Sequence, residues 1–220
     1  MLQRMLLVDD EKSFRVSATK LFERRGFHID TAGSLLEAKE RSAQRRYSFA
    51  IIDLKLPDTD GVEVARHLRQ QQPDLPIFFL SGFDATEYRK KANAYRLEPI
   101  EWMHKPLTKQ NLDPFCQTAP KRVFEARFLL LASIWRDGTQ YSSSLNDVAL
   151  HPAYQTIIGL GPSAVPLIIR ELRRKPELWF WALTSITGEN PISDAQRGRL
   201  DQMTAAWLDW AARNLGESGS

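Results

Sequence analysis

The sequence predicts an α/β protein, a doubly wound five-stranded parallel sheet in its first half, followed by a small all-α domain. Three observations point there. Short apolar runs alternate with amphipathic stretches of helical period. The alternation stops near residue 110, and the rest of the chain carries only the helical period, punctuated by Gly-Pro, Lys-Pro and Gly-Glu-Asn-Pro. At 220 residues the chain exceeds a usual domain of roughly 100–150 residues, which favours two modest domains over one.

The elements come in order. Met5-Leu6-Leu7-Val8 reads as a strand apolar on both faces, as in a parallel sheet. Residues 14–25 place Phe14, Ala18, Leu21 and Phe22 at helical spacing, with Gly26 as the stop. A strand at 27–30 precedes a helix at 34–46 that Ser34 caps. Strand 49–52, helix 62–71, strand 77–80, helix 86–95 and strand 100–103 complete the alternation. Pro114 and Pro120 then fall where a fifth helix is due. Proline inside a helix costs about 3 kcal/mol, so that helix is expected to be short or broken. The expected division is a domain over 1–118, a linker over 119–121 and an all-helical domain over 122–220. In the latter, helices are read at 123–135, 164–174, 177–187 and 196–213, with a cap at Ser142-Ser143-Ser144 and a frayed tail from Gly216 to Ser220.

Composition narrows the classes. Hydrophobic residues make up 43% and charged residues 26%, which excludes a disordered or fibrous chain. The net charge is only +3, and neither half is strongly basic. A lone cysteine, Cys116, excludes an internal disulfide framework and a Cys-rich zinc site. No apolar run approaches the ~18–20 residues that cross a bilayer, and no small-residue cleavage site comes after the opening apolar residues. A soluble, cytoplasmic chain with no membrane partner is expected.

A doubly wound sheet binds its ligand outside the carboxyl ends of its strands. The residues just past the strands are Asp9-Asp10, Asp53, Ser81 and Lys105-Pro106. Three carboxylates, a hydroxyl and an ammonium should therefore meet at one edge. Carboxylates so close repel unless a cation lies between them, and hard oxygen donors suit Mg²⁺. The chemistry this set fits is phosphoryl transfer onto a carboxylate, one Asp being the nucleophile.

These residues and spacings resemble the receiver domain of two-component response regulators, a flavodoxin-like module, over residues 3–112. The phosphoacceptor position is Asp53 within Ile51-Ile52-Asp53-Leu54-Lys55-Leu56-Pro57, with Pro57 and Gly61 at the family's spacing. The resemblance implies that Asp10 and Asp53 ligate Mg²⁺, that Asp9 acts through water, and that the Lys55 backbone carbonyl completes the protein ligands. It also implies catalytic roles for Lys105 and Ser81, a cis peptide before Pro106, and a sensor histidine kinase as phosphoryl donor. Signalling passes in the family through Ser81 and an aromatic on the fifth strand; Trp102 stands there, where Tyr or Phe is usual. The protein is thus expected to be a signalling protein rather than an enzyme, beyond phosphorylation and dephosphorylation of Asp53.

The second half brings less. Residues 157–168 resemble a HEAT-type helical turn, and residues 135–208 resemble a small bacterial helical domain of unassigned function. Arg170, Arg173, Arg174 and Lys175 form its best basic cluster but lack the amide set for base readout. Arg89, Lys90, Lys91 and Arg96 read as a solvated helix face. Asp147, His151, Glu189, Asn190 and Ser143 have no spacing of a triad or metal site, and His151 before a proline reads as a turn residue. Adjacent Trp179, Phe180 and Trp181 cannot share one stripe, so one ring should lie outside the core. The expected output is a protein–protein contact with an unknown partner. A DNA-binding regulator ranks second, and a receiver that is never phosphorylated and serves as a docking platform ranks third.

Overall fold

The computed structural model describes residues 4–57, 59–82, 84–97, 100–142 and 144–216; Ser143 and the expected tail beyond Gly216 lie outside these. The chain divides into two compact units, Met1–Leu130 and Leu131–Ser220.

In the first unit, β1 (Arg4–Val8), β2 (His28–Ala32), β3 (Phe49–Asp53), β4 (Ile77–Ser81) and β5 (Ile100–His104) alternate with α1 (Lys12–Glu23), α2 (Leu35–Gln44), α3 (Gly61–Gln71) and α4 (Thr86–Ala94). All strand pairs are parallel, in the order β2-β1-β3-β4-β5. The fold class is the expected one. Strand residues alternate faces, and both faces are covered. Leu6, Val8, Ala50, Ile52 and Phe79 pack with Ala38, Val62, Ala65, Leu68 and Ala92 from α2, α3 and α4. Met5, Leu7, Phe49, Ile51 and Phe78 pack with Ala18 and Phe22 of α1 and with Leu112, Phe115, Ala119 and Val123. Burial on both sides explains why these strands are apolar without polar alternation.

The expected break in the fifth helix is corrected. α5 runs from Lys109 to Thr139 with Pro114 and Pro120 inside it, so residues 119–121 are helical and not a linker. Both prolines are exposed, whereas Leu112, Phe115, Ala119 and Val123 form a buried stripe. On the solvent side water can take a carbonyl whose amide partner is missing. The buried stripe adds roughly 1.5–3 kcal/mol per large apolar side chain, enough to offset the proline penalty.

The second unit contains α6 (Leu145–Leu150), α7 (Pro152–Gly159), a 3₁₀ turn (Gly161–Ala164), α8 (Val165–Arg174), α9 (Phe180–Thr187), a second 3₁₀ turn (Asp194–Gln196) and α10 (Leu200–Asn214). Its core is aromatic: the Trp135 ring lies 5.1 Å from Tyr154 and 4.4 Å from Trp179, and Tyr154 stacks on Trp179 at 5.7 Å. The Tyr154 hydroxyl donates to the Leu178 carbonyl and accepts from the Ala182 amide, one of the orphan donors of the first turn of α9. Arg136 is paired with Glu171 and Glu177 at 2.7 and 2.6 Å. Trp179 and Phe180 are buried and Trp181 is 61% exposed, as their adjacency requires.

Candidate functional site

The strand ends gather the polar residues at the carboxyl edge of the sheet. β1 runs straight into Asp9, which is fully buried, and Asp10, which is exposed. β3 ends on Asp53, 6% exposed. Oxygens of Asp9, Asp10 and Asp53 all lie within 4.8 Å of one another. Lys105 reaches this group from the loop after β5, its Nζ 2.8 Å from Asp9 Oδ2 and 2.7 Å from Asp53 Oδ2. The Lys105–Pro106 peptide is cis.

The two loops that carry the acids are held by further contacts. Asp9 Oδ1 accepts from the Glu11 amide at 2.9 Å. Arg15, one turn into α1, donates to the backbone carbonyls of Asp9 at 2.5 Å and Asp10 at 2.9 Å. Phe14 beside it presents its ring 4.8 Å from Lys105 Nζ. After Asp53 the chain turns back through a bridge between Lys55 and Asp60, and the Gly61 amide donates to the Leu54 carbonyl. Asp60 caps α3 by accepting from the Glu63 amide at 3.0 Å. A Cβ on Gly61 would run into the Asp53 backbone carbonyl, so only glycine lets α3 begin this close to it.

Burial raises the Asp9 carboxyl above its usual range, with Lys105 opposing only in part. Burial also acts against the Lys105 ammonium, but its bonds to Asp53 and Asp9 prevail and raise its pKa. The acids are thus crowded and, at Asp9 and Asp53, largely buried, and Lys105 offsets only part of their charge. A cluster of this chemistry, hard oxygens with excess negative charge, fits a divalent cation of the Mg²⁺ type.

The remaining expected residues lie nearby. Ser81, 2% exposed, ends β4, and its carbonyl accepts from the Lys105 amide at 2.8 Å. Trp102 is half-buried on β5, 4.9 Å from the Phe79 ring. Arg89 and Lys90 of α4 are exposed, as expected of a solvated face, and Lys91 is half-buried. Arg89 lies over the Trp102 ring at 4.2 Å, and Lys91 pairs with Asp60, the cap of α3, at 2.6 Å and with Glu63 on α3 at 3.0 Å. Tyr95 donates to Glu63 as well, and these bonds hold the Glu63 carboxyl down at about 2. Neither Arg15 nor Lys91 is marked by spacing in the sequence, because each acts across a distance that only folding closes.

In the second unit His151, Asp147 and Asn190 are engaged locally. His151 Nδ1 accepts from the Ala153 amide and caps α7, Asp147 lies in the first turn of α6, and Asn190 accepts from the Ile192 amide.

Residues 5–114 match the response regulator receiver domain family. The chain is 34% identical over 102 residues to the photosynthetic apparatus regulatory protein RegA of Cereibacter sphaeroides, covering 46% of this chain and 54% of that protein. It is 32% identical over 95 residues to the response regulator receiver protein CpdR of Brucella abortus, covering 43% of this chain and 79% of that one. The alignment therefore takes in only about half the length of RegA. A CheY-like receiver domain protein from Methanospirillum hungatei shares the fold at a TM-score of 0.51 and 21% identity, over 57% of this chain and 97% of its own.

Proposed function

The chain belongs to the response regulator receiver domain family, and from that premise we propose that it accepts a phosphoryl group on Asp53 from the phosphohistidine of a sensor histidine kinase. The observation that carries the reading is the bridging of Asp9 and Asp53 by Lys105 Nζ, at 2.8 and 2.7 Å, beside Asp10. An Asp53 carboxylate oxygen attacks phosphorus, the bond from phosphorus to the donor's ring nitrogen breaks, and that nitrogen keeps the electron pair. Lys105 supplies a positive charge next to the oxygen that gains the phosphoryl group. Ser81, at the end of the neighbouring strand, is the hydroxyl that would donate to a phosphoryl oxygen.

Asp9, Asp10, Asp53 and the Lys55 carbonyl would hold Mg²⁺, with Asp9 through water. Bound there, the ion neutralises charge on the transferring group. The protein's own part is to keep three acids together without it, which Lys105 and the carbonyl grip of Arg15 support. The added charge on Asp53 shifts the packing of β4, α4 and Trp102 on β5, and the helical unit turns that shift into a change of protein partner. The exposed Trp181 ring supports a partner surface there.

The test is treatment of the full chain with a small-molecule acyl phosphate and Mg²⁺. Wild type gains the mass of one phosphoryl group and Asp53→Asn gains none. No gain in wild type, or an undiminished gain in Asp53→Asn, overturns the assignment.

A further inference from the structure

We propose that Phe14 is a positioning residue for Lys105, its ring face fixing the ammonium over the gap between Asp9 and Asp53. The proposal rests on the phosphoacceptor reading of Asp53 and extends it to a residue outside the polar cluster. Lys105 carries its charge on a flexible four-carbon stem that leaves many rotamers open. Two carboxylates constrain it, at 2.8 and 2.7 Å, and the Phe14 ring supplies a third bearing at 4.8 Å. A ring face carries negative charge density and attracts an ammonium within about 6 Å of its centroid, whereas an aliphatic side chain of similar bulk does not.

The ring is itself held by the core and by the register of its helix. Phe14 is half-buried and packs against the apolar layer that includes Met5, Phe22 and Leu80. Its chain neighbour Arg15 clamps the Asp9 and Asp10 carbonyls, so the first turn of α1 is registered to the same loop that carries the acids. Gly33 leaves room for that clamp, since a Cβ there would lie 2.8 Å from the Arg15 guanidinium. The ring therefore sits at a set place relative to Asp9, and through it the ammonium is set relative to Asp53. Core packing alone would make any large apolar residue at position 14 equivalent; a positioning role would not.

The experiment compares Phe14→Leu and Phe14→Tyr with wild type in the full chain, following phosphorylation by a small-molecule acyl phosphate with Mg²⁺. Phe14→Leu is expected to slow the reaction at saturating donor by about three- to tenfold, the rate equivalent of one partly shielded cation–π contact. The half-saturating donor concentration stays the same, and Phe14→Tyr restores the rate. In a Lys105→Met background, Phe14→Leu adds no further slowing. Thermal melts of all variants separate loss of fold from loss of rate. Equal rates for Phe14→Leu and wild type, equal slowing by Leu and Tyr, or a full effect without Lys105 each overturn the proposal. A wild-type chain that gains no phosphoryl group overturns the parent reading instead, and this one with it.

Discussion

Asp9 and Asp10 are adjacent in the chain, yet one is fully buried and the other exposed. The difference has a measurable consequence. Burial holds the folded Asp9 pKa above 3.8, so the ionised carboxylate opposes folding at neutral pH, and that opposition fades as the pH falls through the folded value. In Mg²⁺-free buffer, Asp9→Asn should therefore raise the urea midpoint near neutral pH, and the advantage should shrink toward pH 3.8. A constant advantage at all pH values would contradict this. Gly61 acts on the same cluster through shape. Because a Cβ there meets the Asp53 carbonyl, Gly61→Ala should lose about 1–3 kcal/mol in urea titration and slow phosphorylation of Asp53. An alanine variant with wild-type stability and rate would show that the loop yields freely. At this scale the sequence is informative about the reactive groups, since Asp9, Asp10, Asp53, Ser81 and Lys105 all stand at strand ends. It is silent about Arg15, Arg89 and Lys91, whose partners lie on other segments.

Among the elements, α5 is the one that local rules misjudge. Proline propensity is a property of a few neighbouring residues, while the stripe Leu112, Phe115, Ala119 and Val123 meets strands from the far end of the chain. Phe115 contacts Phe22, Phe49 and Phe78 at ring separations of 6.2, 6.3 and 5.1 Å. Phe115→Ala should thus destabilise the chain by about 3–5 kcal/mol, and Pro120→Ala should be neutral or stabilising. Urea titrations of the two variants check the pair, and a destabilised Pro120→Ala would mean that proline serves the helix. α7 also escapes local rules, because its first residue is a proline behind His151, a pattern that reads equally as a turn and as a capped helix start. β1, β3 and β4 are legible because burial on both faces leaves them almost continuously apolar.

For the whole molecule, the two units differ in how far the sequence speaks. The first carries a constellation whose chemistry can be named; the second carries an aromatic core and local caps, which specify a fold and no reaction. The proposed switch joins them in one test. Hydrogen exchange on the full chain, with and without acyl phosphate and Mg²⁺, should alter protection in β4, α4 and β5 and also among residues 131–216. Changes confined to the first 130 residues would remove the second unit from the response and favour a receiver that acts alone.

Trp102 is the only one of the six tryptophans in the first unit, and its ring is covered by Arg89 of α4 and flanked by Phe79. A helix that moves away leaves the indole in water, and its emission shifts to longer wavelength. The part of the emission that Trp102→Phe removes, measured against the five tryptophans of the second unit, would therefore serve as an optical gauge of α4 without a dye.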